Sequence, residues 1–142
     1  MPRGKRRYDR WQSYFHSKLA NLHFTWELHR RLSAAGAGAI AVAAHPGASA
    51  TDLGTEGSGL LNAGMRTVVP LMLQPAEYGA RPMLRALTDP GVRGGEFYGP
   101  RFLVRGATAV RETPSRAARD AAAARRLWDL SVELTGLEPA IG

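Results

Sequence analysis

Tyr14-Phe15-His16-Ser17-Lys18-Leu19-Ala20-Asn21 is the stretch on which the reading of this 142-residue chain turns. In a helix over residues 11–35, Tyr14 and Lys18 stand at i and i+4, so the phenol and the ammonium share one face, a turn apart. A phenol ordinarily titrates near ~10 and is a poor proton donor or acceptor at neutral pH, but a cation within ~4–6 Å stabilises its phenolate. A phenol tuned in this way exchanges a proton with a carbonyl or alcohol oxygen. The ammonium keeps donors for a sugar hydroxyl. Taken alone, the spacing equally fits a Tyr packing by its ring and a Lys reaching out to water.

The flanking sequence supplies the context. Asp9 is placed to cap the helix, and Gly36 and Gly38 to end it. Within the helix Tyr14, Lys18, Leu22, Thr25, Leu28 and Leu32 fall on one side, and Phe15, Leu19 and Trp26 form a second apolar strip. One face would pack on a sheet; the other would meet a second helix, another subunit or the chain's own later segments. Ile40-Ala41-Val42-Ala43-Ala44 follows, apolar on both faces and bounded by Gly and Pro, and reads as a central parallel strand over residues 40–44. Its carboxyl end opens into His45-Pro46-Gly47-Ala48-Ser49-Ala50-Thr51. In open α/β sheets such a loop is where a ligand binds. His45 reads as a packing or hydrogen-bonding residue of that loop.

The string Y-x-x-S-K-x-A-N at Tyr14 to Asn21 resembles the active-site helix of the short-chain dehydrogenases/reductases, in particular their retinol-dehydrogenase-like branch. P-G-x-x-x-T at Pro46 to Thr51 matches a second recurring string of that family. Gly94-Gly95-Glu96-Phe97-Tyr98-Gly99-Pro100 is similar to its last strand, and Arg126-Leu127-Trp128-Asp129-Leu130 through Gly136 to its C-terminal helix. The resemblance implies an α/β fold, the C-terminal half of a Rossmann-like doubly wound parallel sheet. It also implies NAD(P)-dependent interconversion of a carbonyl and an alcohol. By position, Tyr14 and Lys18 are the catalytic residues and both bind the cofactor: Tyr14 is the acid/base, and Lys18 favours its phenolate and binds the nicotinamide ribose. Pro46, Gly47 and Ala48 line the nicotinamide end, and Thr51 bonds the carboxamide or a neighbouring phosphate. The cofactor is NAD or NADP, and the substrate a small apolar carbonyl or alcohol.

Residues 1–10 are a basic tail, and residues 11–142 a partial Rossmann-like domain. Residues 52–73, a Gly-rich entry and then Leu, Val and Met, correspond to the substrate lid of the resembling family or to ordinary core. A helix begins near Gln74 with Pro75 in its first turn, and Pro82 inside it predicts a kink. Residues 94–100 read as a short edge strand. Thr113-Pro114 predicts the start of a last helix over residues 114–135, stopped by Gly136.

Composition excludes several alternatives. With 44% hydrophobic and 22% charged residues the chain is built like a globular protein. It has no cysteine, and His16, His23, His29 and His45 have no metal-ligand spacing, which argues against a metal. Arg3, Lys5, Arg6, Arg7 and Arg10 against Asp9 concentrate most of the net charge of +7 in the first ten residues. No nucleic-acid-binding motif accompanies that tail, so nucleic acid is not the expected partner. No stretch of ~20 apolar residues and no secretory signal is found, and a cytoplasmic location is expected.

Several parts of the resembling family have no counterpart here. These are the first strand with its glycine-rich turn, the ribose selector that separates NAD from NADP, the N-A-G segment and the strand bearing the catalytic serine. Ser13 and Ser17 lie on the tyrosine helix and cannot replace that serine. The chain is therefore expected to be a truncated piece, marginally stable or self-associating unless another polypeptide completes the sheet. The alternative is a non-catalytic remnant or interaction module that forms a homo-oligomer or pairs with a complete family member through the residue 11–32 helix.

Overall fold

The computed structural model describes residues 8–47, 74–102 and 106–141. They group into two compact units: Met1–Ala41 with Pro114–Gly142, and Val42–Thr113. The 1–7 part of the basic tail and the whole 52–73 lid segment lie outside the described residues.

The first unit is built on α1, Arg10–Ala34. Asp9 caps it, its carboxylate accepting from the backbone N–H of Trp11 at 2.9 Å and of Gln12 at 3.0 Å. Two donors that a helix start leaves unpaired are thereby satisfied. At the other end Gly36 takes φ +67°, where an L side chain is strained and nothing else among the described residues crowds the position. That reversal lets Ala37 N–H reach Leu32 O at 3.0 Å and Gly36 N–H reach Ser33 O at 3.2 Å, the paired closure of a Schellman turn.

The last helix, α3, runs over Ala121–Thr135, with Asp120 accepting from the N–H groups of Ala122 and Ala123 and Gly136 closing it at φ +69°. The expected start at residue 114 is therefore corrected to 121. The preceding turns are tied sideways: His23 Nε2 meets Ala117 O at 2.9 Å, and Trp26 Nε1–H donates to Ala118 O at 2.7 Å. These α1 side chains occupy the carbonyls at 117 and 118, and Asp120 supplies a better cap than Thr113.

The packing face of α1 also differs from the expected one. Phe15 is 62% exposed, whereas His23 and Glu27 are buried. Glu27, 2% exposed, accepts from Arg30 Nη2–H at 2.6 Å and from Arg31 Nε–H at 2.9 Å. The Arg30 hydrogen bond, opposed by burial, holds its carboxyl below the usual value of 4.5. Trp128 of α3 stacks on Phe24 at 5.4 Å, and Arg31 lies 4.5 Å over its indole. Hydrophobicity ranking misses this face because its buried residues are polar groups that meet their partners inside the unit.

The second unit holds a mixed sheet in the order β1 (Ala43–Ala44), β2 (Phe97–Pro100), β3 (Ala109–Arg111). β1 and β2 are parallel, pairing Ala43 with Phe97 and Ala44 with Tyr98. β2 and β3 are antiparallel, with Gly99 opposite Val110. The expected five-residue strand shrinks to two because the ladder, Ala43 N–H to Glu96 O and His45 N–H to Tyr98 O, reaches no further back. Ile40 is left 50% exposed. The expected edge strand is instead central, since β3 pairs with its other side. The helix α2, Ala76–Thr88, packs on this sheet with Pro82 fully buried. From α2, Arg81 and Arg85 donate to the carbonyls of Ala107 and Ala109 at 2.8 and 2.7 Å.

Glu96 fastens the entry to β2. It accepts from Tyr98 Oη–H at 2.5 Å, Arg93 N–H at 2.8 Å and Arg111 Nη1–H at 2.8 Å. Led by the Tyr98 hydroxyl, these donors lower its carboxyl from 4.5 to about 2. A carboxyl depressed on folding stabilises the protein above its unfolded value, and that contribution is lost as pH falls from 4.5 through about 2. The denaturation midpoint is therefore expected to fall over that window. Glu96→Gln should flatten the acid limb and lower the midpoint at neutral pH; an unchanged acid limb would refute this role.

Candidate active site

In the first unit, α1 sets the phenol and the amine on one face, because i and i+4 side chains lie one turn apart. Lys18 Nζ lies over the Tyr14 ring, 5.4 Å from its centroid. Tyr14 is half-buried and Lys18 exposed. The Tyr14 ring is flanked edge-on by Trp11 at 6.5 Å and by Phe15 at 5.7 Å, which restrict its swing. Ser17 turns inward to its own helix, its hydroxyl donating to Tyr14 O at 2.7 Å. Its oxygen is thus engaged with the backbone beside the phenol's own residue.

In the second unit, Pro46 and Gly47 follow β1 at the carboxyl end of the parallel pair, both half-buried. Gly47 has φ +68°, so the chain turns there in a way that favours glycine. Its N–H donates to His45 Nδ1 at 3.1 Å, and the carbonyl of Pro46 accepts from Gln74 Nε2–H at 2.7 Å. Gln74, 2% exposed, also accepts from Gly106 N–H at 2.7 Å. With Pro75, Tyr78, Phe102, Gly106 and Ala107 it lines a cavity of about 350 Å³. Ala48 and Thr51 lie outside the described residues.

Of the sequence-predicted residues, then, Tyr14 and Lys18 stand together in one unit, and Pro46 and Gly47 together in the other. Gln74 was not singled out from the sequence, and no local pattern marks it, since its partners lie 28 and 32 residues away. Among the described residues no group of three or more acidic, His or Cys side chains is disposed to hold a metal ion. No helix among them is long and apolar enough to cross a membrane.

No protein-family model matches the chain. It is 34% identical over 135 residues to human retinol dehydrogenase 12, an alignment covering 94% of this chain and 39% of that protein. Dehydrogenase/reductase SDR family member 13 of Bos taurus is 36% identical over 129 residues, covering 90% and 32% respectively. The chain belongs to the short-chain dehydrogenase/reductase family. Within that family its likeness is to the retinol-dehydrogenase-like branch, and it spans about two fifths of the length of human retinol dehydrogenase 12. An uncharacterised protein from Mycobacterium paratuberculosis, solved by crystallography, superposes with a TM-score of 0.67 at 39% identity. That superposition covers 96% of this short-chain dehydrogenase/reductase chain and 43% of the other. The mixed α/β build with a parallel strand pair agrees with a partial Rossmann-like fold of this family.

Proposed function

We propose that this chain carries the proton-transfer helix and the nicotinamide bay of an NAD(P)-dependent oxidoreductase that interconverts a small apolar carbonyl and its alcohol. Tyr14 gives its hydroxyl proton to the carbonyl oxygen in reduction and takes it back in oxidation. Lys18 places its ammonium beside the phenol and directs N–H donors to ribose hydroxyls. Bound nicotinamide supplies or accepts the hydride. The residues fit that end of the cofactor: a glycine turn at φ +68° ends a parallel strand, where backbone can approach a flat ring closely. Gly47 N–H is engaged by His45; by the family resemblance Ala48 also lines that end and Thr51 bonds the carboxamide or a neighbouring phosphate. The strand bearing the catalytic serine and the pyrophosphate-holding turn are assigned to the part of the relatives that this chain does not span.

The observation that carries this reading is Lys18 Nζ poised over the Tyr14 ring in a chain 34% identical to a retinol dehydrogenase. Reduced nicotinamide mononucleotide, which lacks the adenosine half, isolates the bay. Titrated into the full chain, it is expected to shift the backbone amide resonances of Lys18 and Gly47, whereas AMP, which has neither the nicotinamide nor its ribose, is not. No shift at either residue would overturn the proposal. A second reading, pairing with a complete relative through α1, is favoured by Trp11 and Phe15, 44% and 62% exposed on that helix. A monomer in sedimentation that fails to co-purify with such a relative would count against it.

A further inference from the structure

Pro46 C=O and Gly47 N–H are the two ends of a single peptide group, and each is held by a different side chain. We propose that His45, backed by Glu112, and Gln74 are positioning residues that lock this peptide plane in one orientation. The turn into the nicotinamide bay is thereby formed before any ligand arrives; its use for nicotinamide rests on the function proposed above. The pair His45 and Glu112 has no part in the proton transfer assigned to Tyr14.

The hydrogen bonds assign the imidazole's tautomer. Because Gly47 N–H donates to Nδ1, that nitrogen carries no proton, so the ring hydrogen sits on Nε2 and points to Glu112 Oε2 at 3.1 Å. Glu112 is itself fixed, its N–H donating to Phe97 O at 2.8 Å just beyond β3. The imidazole stacks on Phe97 at 5.1 Å with 29° between the planes. Ring, carboxylate and strand are so close that a Cβ at Gly99 would overlap both His45 Nε2 and Glu112 Oε1. Glycine at 99 therefore lets the pair lie directly against the β2 backbone.

Stability alone does not explain the pair. The Glu112 side chain is only 12% exposed, and its Oε1 is buried without a hydrogen-bond partner among the described residues. Leaving a polar oxygen in that state is unfavourable, and an apolar side chain of similar size would pack there at less cost. What the carboxylate does provide is direction. It fixes the tautomer that offers Nδ1 to Gly47, as the partner of one ring nitrogen decides the role of the other. On the far side Gln74 spans from Pro46 O to Gly106 N–H, 2.7 Å at each end. A flip of the 46–47 peptide would break both restraints at once.

The test is amide hydrogen exchange in the full 142-residue chain. His45→Phe keeps a flat ring over Phe97 but removes the acceptor; it is expected to speed exchange at Gly47 roughly five- to tenfold, the scale of one lost hydrogen bond. His45→Asn restores an acceptor at the i to i+2 spacing of an Asx turn and should return Gly47 toward the wild-type rate. Gln74→Met, of matching length, reads the other end and is expected to expose the Gly106 amide, so the proposal stays testable if His45→Phe does not fold. Unchanged exchange at Gly47 in His45→Phe, or at Gly106 in Gln74→Met, would overturn the lock. Reduced nicotinamide mononucleotide separates the two proposals. If it leaves Gly47 unshifted in wild type while the exchange pattern is as expected, the nicotinamide assignment falls and the lock stands.

Discussion

Trp128→Ala is expected to destabilise the first unit by about 3–5 kcal/mol, the range for truncating a large buried aromatic. Trp128 is 3% exposed, stacked on Phe24 at 5.4 Å and covered by the Arg31 guanidinium. Removing it leaves a cavity between α1 and α3 that neither helix can close while Glu27 holds Arg30 and Arg31 in place. Trp128→Phe should behave differently. The indole N–H is buried without a hydrogen-bond partner among the described residues, a condition that costs about 1–3 kcal/mol, and phenylalanine removes that group along with some volume. Its net loss is therefore expected to stay below about 1.5 kcal/mol. Guanidinium unfolding followed by circular dichroism, with amide exchange at Phe24 and Glu27 to report on α1, separates the two variants. Equal losses in both would mean that the cavity account of this interface is wrong.

The same interface shows what the sequence discloses and what it withholds. Local chemistry was legible: Asp9 caps α1, the chain reverses at Gly36, and Gly136 closes α3, each through atoms within five residues of one another. The i to i+4 placement of Tyr14 and Lys18 is of the same kind. Features set by distant partners were not legible. The length of β1 depends on how far β2 runs beside it, and β2 is central only because residues 109–111 pair with its other edge. The start of α3 at 121 and not 114 goes with carbonyls of Ala117 and Ala118 engaged by His23 and Trp26, 94 and 92 residues away in the chain. Half of the proposed lock was readable in principle, since His45 and Gly47 are neighbours. Glu112, 67 residues on, carries no mark in its own sequence of what it supports.

On the function proposed above, Tyr14→Phe is expected to lower carbonyl turnover by about two to four orders of magnitude, the usual scale for losing a positioned acid/base group. The substitution deletes one oxygen and keeps the ring that Trp11 and Phe15 flank, so unfolding should change by no more than about 0.5 kcal/mol. That contrast separates a chemical from a structural role: a packing tyrosine would lose stability and spare the rate. Lys18→Met sharpens the test. It is expected to lower turnover and also to weaken binding of reduced nicotinamide mononucleotide, because the ammonium is proposed to serve both the phenolate and the ribose, whereas Tyr14→Phe should leave that binding nearly unchanged. Lys18 is exposed and its Nζ lies 5.4 Å from the Tyr14 ring centroid, so a methionine there can be accommodated without repacking. More than a tenth of wild-type turnover in Tyr14→Phe would remove the phenol from the reaction. The oxidoreductase reading of this helix would then have to find its proton elsewhere.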